Sequence, residues 1–215
     1  MGAGAPFRVA VLISGAGTNL QALIDQLHSP GGPIEIVGVA SSRAGAPGLA
    51  RAEAAGVETA VFAIADHAER GERDRALGDW LDSLSADLVV LAGFMELLSP
   101  EFIGRFAGRI VNVHPSLLPA FPGLQPIEKA IEHGVKVTGV TVHFVDEGVD
   151  SGPIVLQEAL ELSYPARIAE IEERVHGVEH RLLPRAVRLI AAGRVRIDPE
   201  LPRRVIVEGG GDGDD

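Results

Sequence analysis

Cysteine is absent from the 215 residues. That excludes disulfides, thiolate nucleophiles and cysteine-ligated metals, and says little about compartment. Basic charge is scarce: 19 Lys and Arg stand against 30 Asp and Glu, a net charge of -11. Phosphate backbones and anionic lipids need clustered Lys and Arg, so neither nucleic acid nor a membrane is expected as primary partner, although a local basic groove stays open. No apolar run approaches the roughly 18 residues of a membrane span. The start, Met1–Pro6, lacks the basic and apolar regions of a signal peptide. Pro6 also occupies the Ser/Thr position of a myristoylation pattern, so the cytoplasm is expected.

What is present suits a globular domain. The chain is 46% hydrophobic and 23% charged, ordinary for a fold with a sizeable core. Its length fits one domain or at most two small ones, and no repeat or long linker divides it. The expected division is a flexible stretch at residues 1–7, a domain over 8–198, and a tail over 199–215. The Gly/Asp-rich end of that tail, Gly209–Asp215, is expected to be disordered.

Arg8–Ile13 is an apolar run ending in the turn Ser14–Gly17, which predicts a buried strand. A helix capped by Thr18 or Asn19 should follow, with Leu20, Leu23, Ile24 and Leu27 as its apolar face. Strands are expected at Ile34–Ala40, Glu58–Phe62, Asp87–Ala92 and Arg109–Val111. Helices are expected at Gly48–Ala55, His67–Leu84, near Ile127–Glu132 and over Ala166–Ala192, the last broken near Pro184. Ser99 and Pro100 should open a short helix. Thr138–Val145 alternates and should pair with Gly152–Gln157 in an antiparallel hairpin closed by Asp146–Ser151. Arg194–Ile197 reads as a last strand. Alternating strands and helices predict an α/β fold, a mostly parallel sheet with right-handed crossovers. Ligands in such sheets bind beyond the carboxyl ends of the strands, where Gly15–Asn19, Gly93–Leu98 and Asn112–Ser116 all fall.

Three groups carry the chemistry. Asn112 and His114 are two apart at a strand end and face the same side. An amide and a charged imidazole there suit a carbonyl oxygen that becomes negative, and Asp150 from a later loop can hold that imidazole charged. Thr141 and His143 sit on a neighbouring strand, as site lining or as plain sheet surface. The glycine turn Ser14–Asn19 before a helix suits a phosphate. It is a poor dinucleotide fingerprint, because Leu20 replaces the third glycine and Ser41-Ser42-Arg43 replaces the acidic ribose ligand. Arg43 would instead suit a 2′-phosphate. His176-Gly-Val-Glu179-His180 matches the H-x-x-E-H zinc pattern, but Gly177 weakens the helix and no third ligand is evident, so no metal is expected. Arg70, Arg73 and Arg75 lie on a charged helix that reads as a solvated face.

Val11–Gln21, Ala92–Met95, Leu97–Ser99, Asn112–Pro119, Gly134–Gly139, Val142–Val145 and Asp150–Pro153 together resemble the phosphoribosylglycinamide formyltransferases, the folate-dependent enzymes of purine synthesis. The resemblance runs in family order over residues 8 to about 195. It implies a Rossmann-like formyltransferase fold, with helices on both faces of the sheet and a C-terminal antiparallel hairpin. It implies 10-formyltetrahydrofolate as cosubstrate, small-molecule substrates as partners, and no metal; a homodimer is compatible with it. Gly17, Thr18 and Asn19 would hold the substrate phosphate, with Glu179 on the glycinamide ribonucleotide and Arg70 near the ligands. Met95, Glu96, Leu97, Leu98, Val145, Asp146, Glu147 and Gly148 would bind the folate. Asn112, His114 and Asp150 would be catalytic, and the bond before Pro119 cis.

Two positions depart from that family. Gln125 stands where many relatives have His, which points to a support role rather than a proton relay. Glu96 stands where relatives often have Arg, at the folate entrance. Two other folate enzymes share the Asn-x-His and Asp-x-Gly-Pro parts: a formyltetrahydrofolate hydrolase and a methionyl-tRNA formyltransferase. The first usually adds an N-terminal domain and the second a C-terminal RNA-binding one, for which residues 198–215 are too few. Gln125-Pro-Ile127 is nevertheless more like the tRNA enzyme. A non-catalytic nucleotide-binding module is the alternative of another class, and it gives Asn112, His114 and Asp150 no joint task.

Overall fold

Short apolar runs become the inner strands of one sheet, because a strand covered on both faces must be apolar at every position. The computed structural model describes residues 4–208. Strands β1 (Phe7–Ile13), β2 (Ile34–Ser41), β3 (Thr59–Val61), β4 (Leu88–Leu91), β5 (Ile110–His114), β6 (Val137–Phe144) and β7 (Ile154–Glu161) form a seven-stranded sheet. Its order is β3-β2-β1-β4-β5-β6-β7. Pairing is parallel from β3 to β5 and antiparallel at β5–β6 and β6–β7. The chain winds outward from β1 in one direction and from β4 in the other. The crevice between their carboxyl ends is therefore the switch point at which such sheets bind ligands.

Helices cover both faces. On one, Leu20 and Leu23 of α1 (Thr18–Leu27) and Val175 and Leu182 of α6 (Ile168–Ala191) pack on Val9, Val11, Val90 and Val111. A fully buried leucine of this kind contributes about 1.5–3 kcal/mol. On the other, Leu77 and Leu81 of α3 (Arg70–Ser83) and Phe102 of α4 (Pro100–Arg105) pack on Ala10, Leu12, Val89 and Ile110. The shorter α2 (Pro47–Ala54) and α5 (Pro126–Glu132) complete the set. Asn112 and His114 share the parity of Ile110 and face the α3–α4 side; Val111 and Val113 face α1 and α6.

Several expectations need correction. Neither Thr18 nor Asn19 caps α1; Gly17 does, at φ 70° and without a side-chain cap, because the chain enters the helix through a left-handed turn. α6 is not broken at Pro184. Proline has no N–H for the carbonyl of His180, and the Gln26 side chain of α1 donates to that oxygen instead at 2.7 Å. β6 has no wet face: every residue from Thr138 to Phe144 is buried, Thr141 and His143 among them. Arg73 is not solvated either: it is completely buried beside Asp74. The last strand, β8 (Val195–Ile197), lies outside the main sheet and pairs with β9 (Val205–Val207), an apolar triplet within the stretch taken as tail. The end at Gly209–Asp215 lies outside the described residues. The Leu118–Pro119 bond is cis as the resemblance implied, and Tyr164–Pro165 is cis as well.

Candidate active site

Strand register brings the site together. β5 and β6 pair so that Asn112 stands opposite His143 and His114 opposite Thr141. Thr141 Oγ1 donates to the Ser116 carbonyl at 2.7 Å and accepts from the Leu118 N–H at 3.1 Å. Ser116 Oγ closes on the Ala120 carbonyl at 2.6 Å. The proline-rich loop is pinned by these bonds, and its Phe121 carbonyl ends 3.0 Å from His114 Nε2.

Asp150 arrives on the loop between β6 and β7. Its backbone is left-handed at φ 50°, a conformation that costs a non-glycine residue energy and persists only where neighbours over-determine it. They do so here. A Cβ on Gly152 would meet the Phe144 carbonyl at 1.8 Å, so only glycine allows this turn. Asp146 Oδ1 accepts from Ser151 Oγ at 2.6 Å and from the Gly148 N–H at 3.1 Å. Arg203, from the turn between β8 and β9, donates to the Ser151 carbonyl at 3.0 Å.

Four groups converge on the Asp150 carboxylate. Asn112 Nδ2 lies 3.4 Å and His143 Nε2 3.7 Å from Oδ1. His114 Nδ1 lies 3.3 Å from Oδ2, and the Gly123 N–H donates to Oδ2 at 2.8 Å. Burial pushes the Asp150 carboxyl up. Hydrogen bonding with His143 and Gly123 and the nearby imidazoles outweigh it and hold the group below the usual carboxylate range. His114 departs from expectation. Burial pushes its imidazole below the ordinary value, and the Phe121 carbonyl and Asp150 do not overcome that pull. Both nitrogens of that ring nevertheless face oxygen acceptors. Only a ring that takes up a second proton can donate to both.

Two clefts adjoin the ends of β4 and β5. The first, about 310 Å³, is lined by Asn112, His143 and Asp150, by Glu96, Leu97 and Leu98, and by Val145, Asp146, Glu147 and Gly148. Arg70, which the resemblance puts near the ligands, lines this cleft. The second, about 490 Å³, is lined by Gly17, Thr18 and Asn19, by Arg43, and by His176 and Glu179. Met95, expected with the folate, lines this one, and Ser14 Oγ accepts its N–H at 2.8 Å. His114 lines neither and sits behind Asn112.

The second cleft joins a tight backbone turn to the side chains of Arg43, His176 and Glu179. A Cβ on Gly17 would meet Gly48 Cα at 2.7 Å, so the turn rests directly on the start of α2. Arg51 Nε holds the Ala16 carbonyl at 2.9 Å. Asn19 donates to Glu179 at 2.9 Å and leaves its buried Oδ1 without a partner. Burial raises the Glu179 carboxyl, against that bond and the charge of His176. The H-x-x-E-H stretch is thereby divided: Glu179 turns to α1, while the rings of His176 and His180 stack 6.2 Å apart. Among the described residues no group of three or more His, Asp or Glu is placed to hold a metal, and no helix is long and apolar enough to cross a membrane.

The formyl transferase family profile matches residues 7–187. The chain belongs to the formyl transferase family. It is 46% identical over 194 residues to a phosphoribosylglycinamide formyltransferase of Haemophilus influenzae, covering 90% of this chain and 92% of that one. It superposes on the crystal structure of glycinamide ribonucleotide transformylase 1 from Symbiobacterium toebii with a TM-score of 0.89 at 46% identity, covering 95% of each chain. A formyltetrahydrofolate deformylase from Pseudomonas syringae shares the fold at a TM-score of 0.86 and 26% identity, with 95% of this chain and 67% of that one covered.

In this formyl transferase, sequence reasoning gave His143 too small a part. It meets Asn112 at 3.2 Å and sits over Asp150. Its alternation with Thr141 was visible, whereas the register that seats it opposite Asn112 was not. Gly48 and Arg51 were missed outright, because their service to the glycine turn is purely spatial.

Proposed function

We propose that this formyl transferase moves the formyl group of 10-formyltetrahydrofolate onto the amine of glycinamide ribonucleotide, a step of purine biosynthesis. The observation that carries the proposal is the convergence of Asn112, His114 and His143 on Asp150 beside two adjoining clefts. The first cleft would take the folate. The second would take the nucleotide, its phosphate on the N–H groups at Gly17–Asn19 with Arg43 adding charge.

The amine nitrogen attacks the formyl carbon, and the carbonyl electron pair moves onto oxygen. The carbon–nitrogen bond to the folate then breaks as the oxygen pair returns. The proton lost by the amine goes to the departing folate nitrogen. Asn112 Nδ2, which lines the first cleft, donates to the oxyanion. His114, held between the Phe121 carbonyl and Asp150, is the second stabiliser of that charge in its protonated form, the proton coming from solvent before the attack and not from the amine. Asp150, held ionised, relays the amine proton through water.

Hydrolysis of the same donor is the second reading, favoured by the likeness to the deformylase. There water would replace the amine. One experiment separates the two: mix the protein with 10-formyltetrahydrofolate and follow folate release with and without glycinamide ribonucleotide. Transfer predicts release that depends on the amine. Amine-independent release of equal rate establishes hydrolysis, and no release in either arm leaves only a binding role.

A further inference from the structure

α3 carries two charged neighbours that the proposed chemistry does not use. Arg73 is 0% and Asp74 2% exposed. Arg73 Nε stands 2.6 Å from Asp74 Oδ1, a charge contact rather than an aligned hydrogen bond, since neither atom has a hydrogen-bond partner. A buried ion pair is costly to desolvate, so its retention asks what the remaining atoms hold. Arg73 Nη2 donates to the Leu97 carbonyl at 3.0 Å. Asp74 Oδ2 accepts the Ser99 N–H at 2.6 Å. The guanidinium also lies 5.7 Å from the Phe94 ring centroid. All three contacts grip one short segment, and that segment is a wall of the first cleft.

Peptide planarity gives this grip a consequence. In a trans peptide the C=O and N–H point in opposite directions. The bonds from Leu97 to Leu98 and from Leu98 to Ser99 are trans. Arg73 draws the Leu97 carbonyl toward α3, so the Leu98 N–H points away from α3. Asp74 draws the Ser99 N–H toward α3, so the Leu98 carbonyl also points away. Leu98 lines the cleft, and among the described residues neither of its main-chain groups meets a partner. One residue thus offers the cleft a donor and an acceptor side by side.

We propose that the Arg73–Asp74 pair is a positioning device that holds the Leu98 N–H and C=O for the donor–acceptor edge of the folate heterocycle. This rests on the folate reading of the first cleft. An amino-pyrimidinone presents such an edge, and a backbone pair fixed by buried charges recognises it without any side chain.

The test uses the double variant Arg73→Met/Asp74→Leu. It removes both buried charges at similar volume, an exchange that commonly preserves a fold. Binding is measured by equilibrium dialysis with tetrahydrofolate and, separately, with glycinamide ribonucleotide. Losing the fixed pair should weaken tetrahydrofolate about 10- to 100-fold, the scale of one or two hydrogen bonds. Nucleotide affinity should stay within about twofold, and kcat at saturating folate within about threefold, while KM for the folate rises with Kd. Arg73→Lys keeps the buried charge but offers a point donor instead of a fork. It should weaken tetrahydrofolate several-fold with an unchanged melting temperature, and it carries the test alone if the double variant does not fold. Unchanged tetrahydrofolate affinity in whichever variant folds, or an equal loss for both ligands, overturns the proposal. Wild-type protein that binds no tetrahydrofolate overturns the folate reading and the proposal with it.

Discussion

The two clefts of this formyl transferase are built by opposite means. Around Asp150 the first is lined with side chains whose chemistry is their own: an amide, an imidazole and a carboxylate, with a second imidazole behind. At Gly17–Asn19 the second is a turn pressed against α2 that offers N–H groups and has no room for a Cβ at Gly17. Side-chain chemistry can stabilise charge and move protons. Backbone donors bind an anion and leave the reaction itself alone. The difference predicts that damage to the groups around Asp150 lowers turnover and damage to the turn at Gly17–Asn19 weakens nucleotide binding.

The largest effect is expected at the carboxylate. Asp150→Asn keeps the shape but loses the charge, and should cut kcat about 10³-fold, the upper scale for a preorganised electrostatic group. Asn112→Ala and His114→Ala should each cost about 10²–10³ in kcat in a steady-state assay. Near-normal turnover in both alanine variants would break the assignment of the first cleft. Gly17→Ala comes next. A left-handed backbone and a Cβ 2.7 Å from Gly48 force the turn to shift, so KM for the nucleotide should rise about 10- to 100-fold, as for one lost charge-assisted bond. Arg43→Ala should raise the same KM about tenfold and spare kcat, because it removes one charged donor at the cleft rim.

The smallest expected effect concerns stability. Glu179 has a raised folded-state pKa, so its contribution is fully present below the unfolded pKa and is lost as pH rises through the folded one. Glu179→Gln should therefore melt higher than wild type at pH 8 and lose that advantage at pH 4. The substituted glutamine has an added reason to fit, since its amide can donate to the buried, unpartnered Asn19 Oδ1. Asp150 and His114 act in the opposite direction. Both have depressed folded-state values, so their contribution is present above the unfolded pKa and is lost as pH falls through the folded one. Thermal melts of Glu179→Gln and wild type that stay parallel across pH would remove the buried carboxyl from the account.

The first cleft was the more legible in sequence. Asn112 and His114 declare themselves by residue type and by a spacing of two at a strand end. His143 was half visible, because its seat depends on antiparallel register, which no local pattern states. The second cleft was legible through its glycine turn and Arg43; Gly48 lies on another helix and reveals its part only when Gly17 is seen resting on it. Arg73 was misread for a different reason. A charged run predicts solvent, yet Arg73 lies four residues before Leu77 and eight before Leu81, on the stripe that enters the core. Spacing was the better signal there than charge. In β9, likewise, the triplet Val205-Ile-Val207 outweighed the polar residues around it.

The division between the clefts is tested most directly by glycinamide ribonucleotide binding to Asp150→Asn, measured by titration calorimetry. The account predicts a Kd within about twofold of wild type, beside a turnover reduced about 10³-fold. A Kd weakened in proportion to the lost turnover would contradict it, because Asp150 would then serve nucleotide binding and the two clefts would not divide the work.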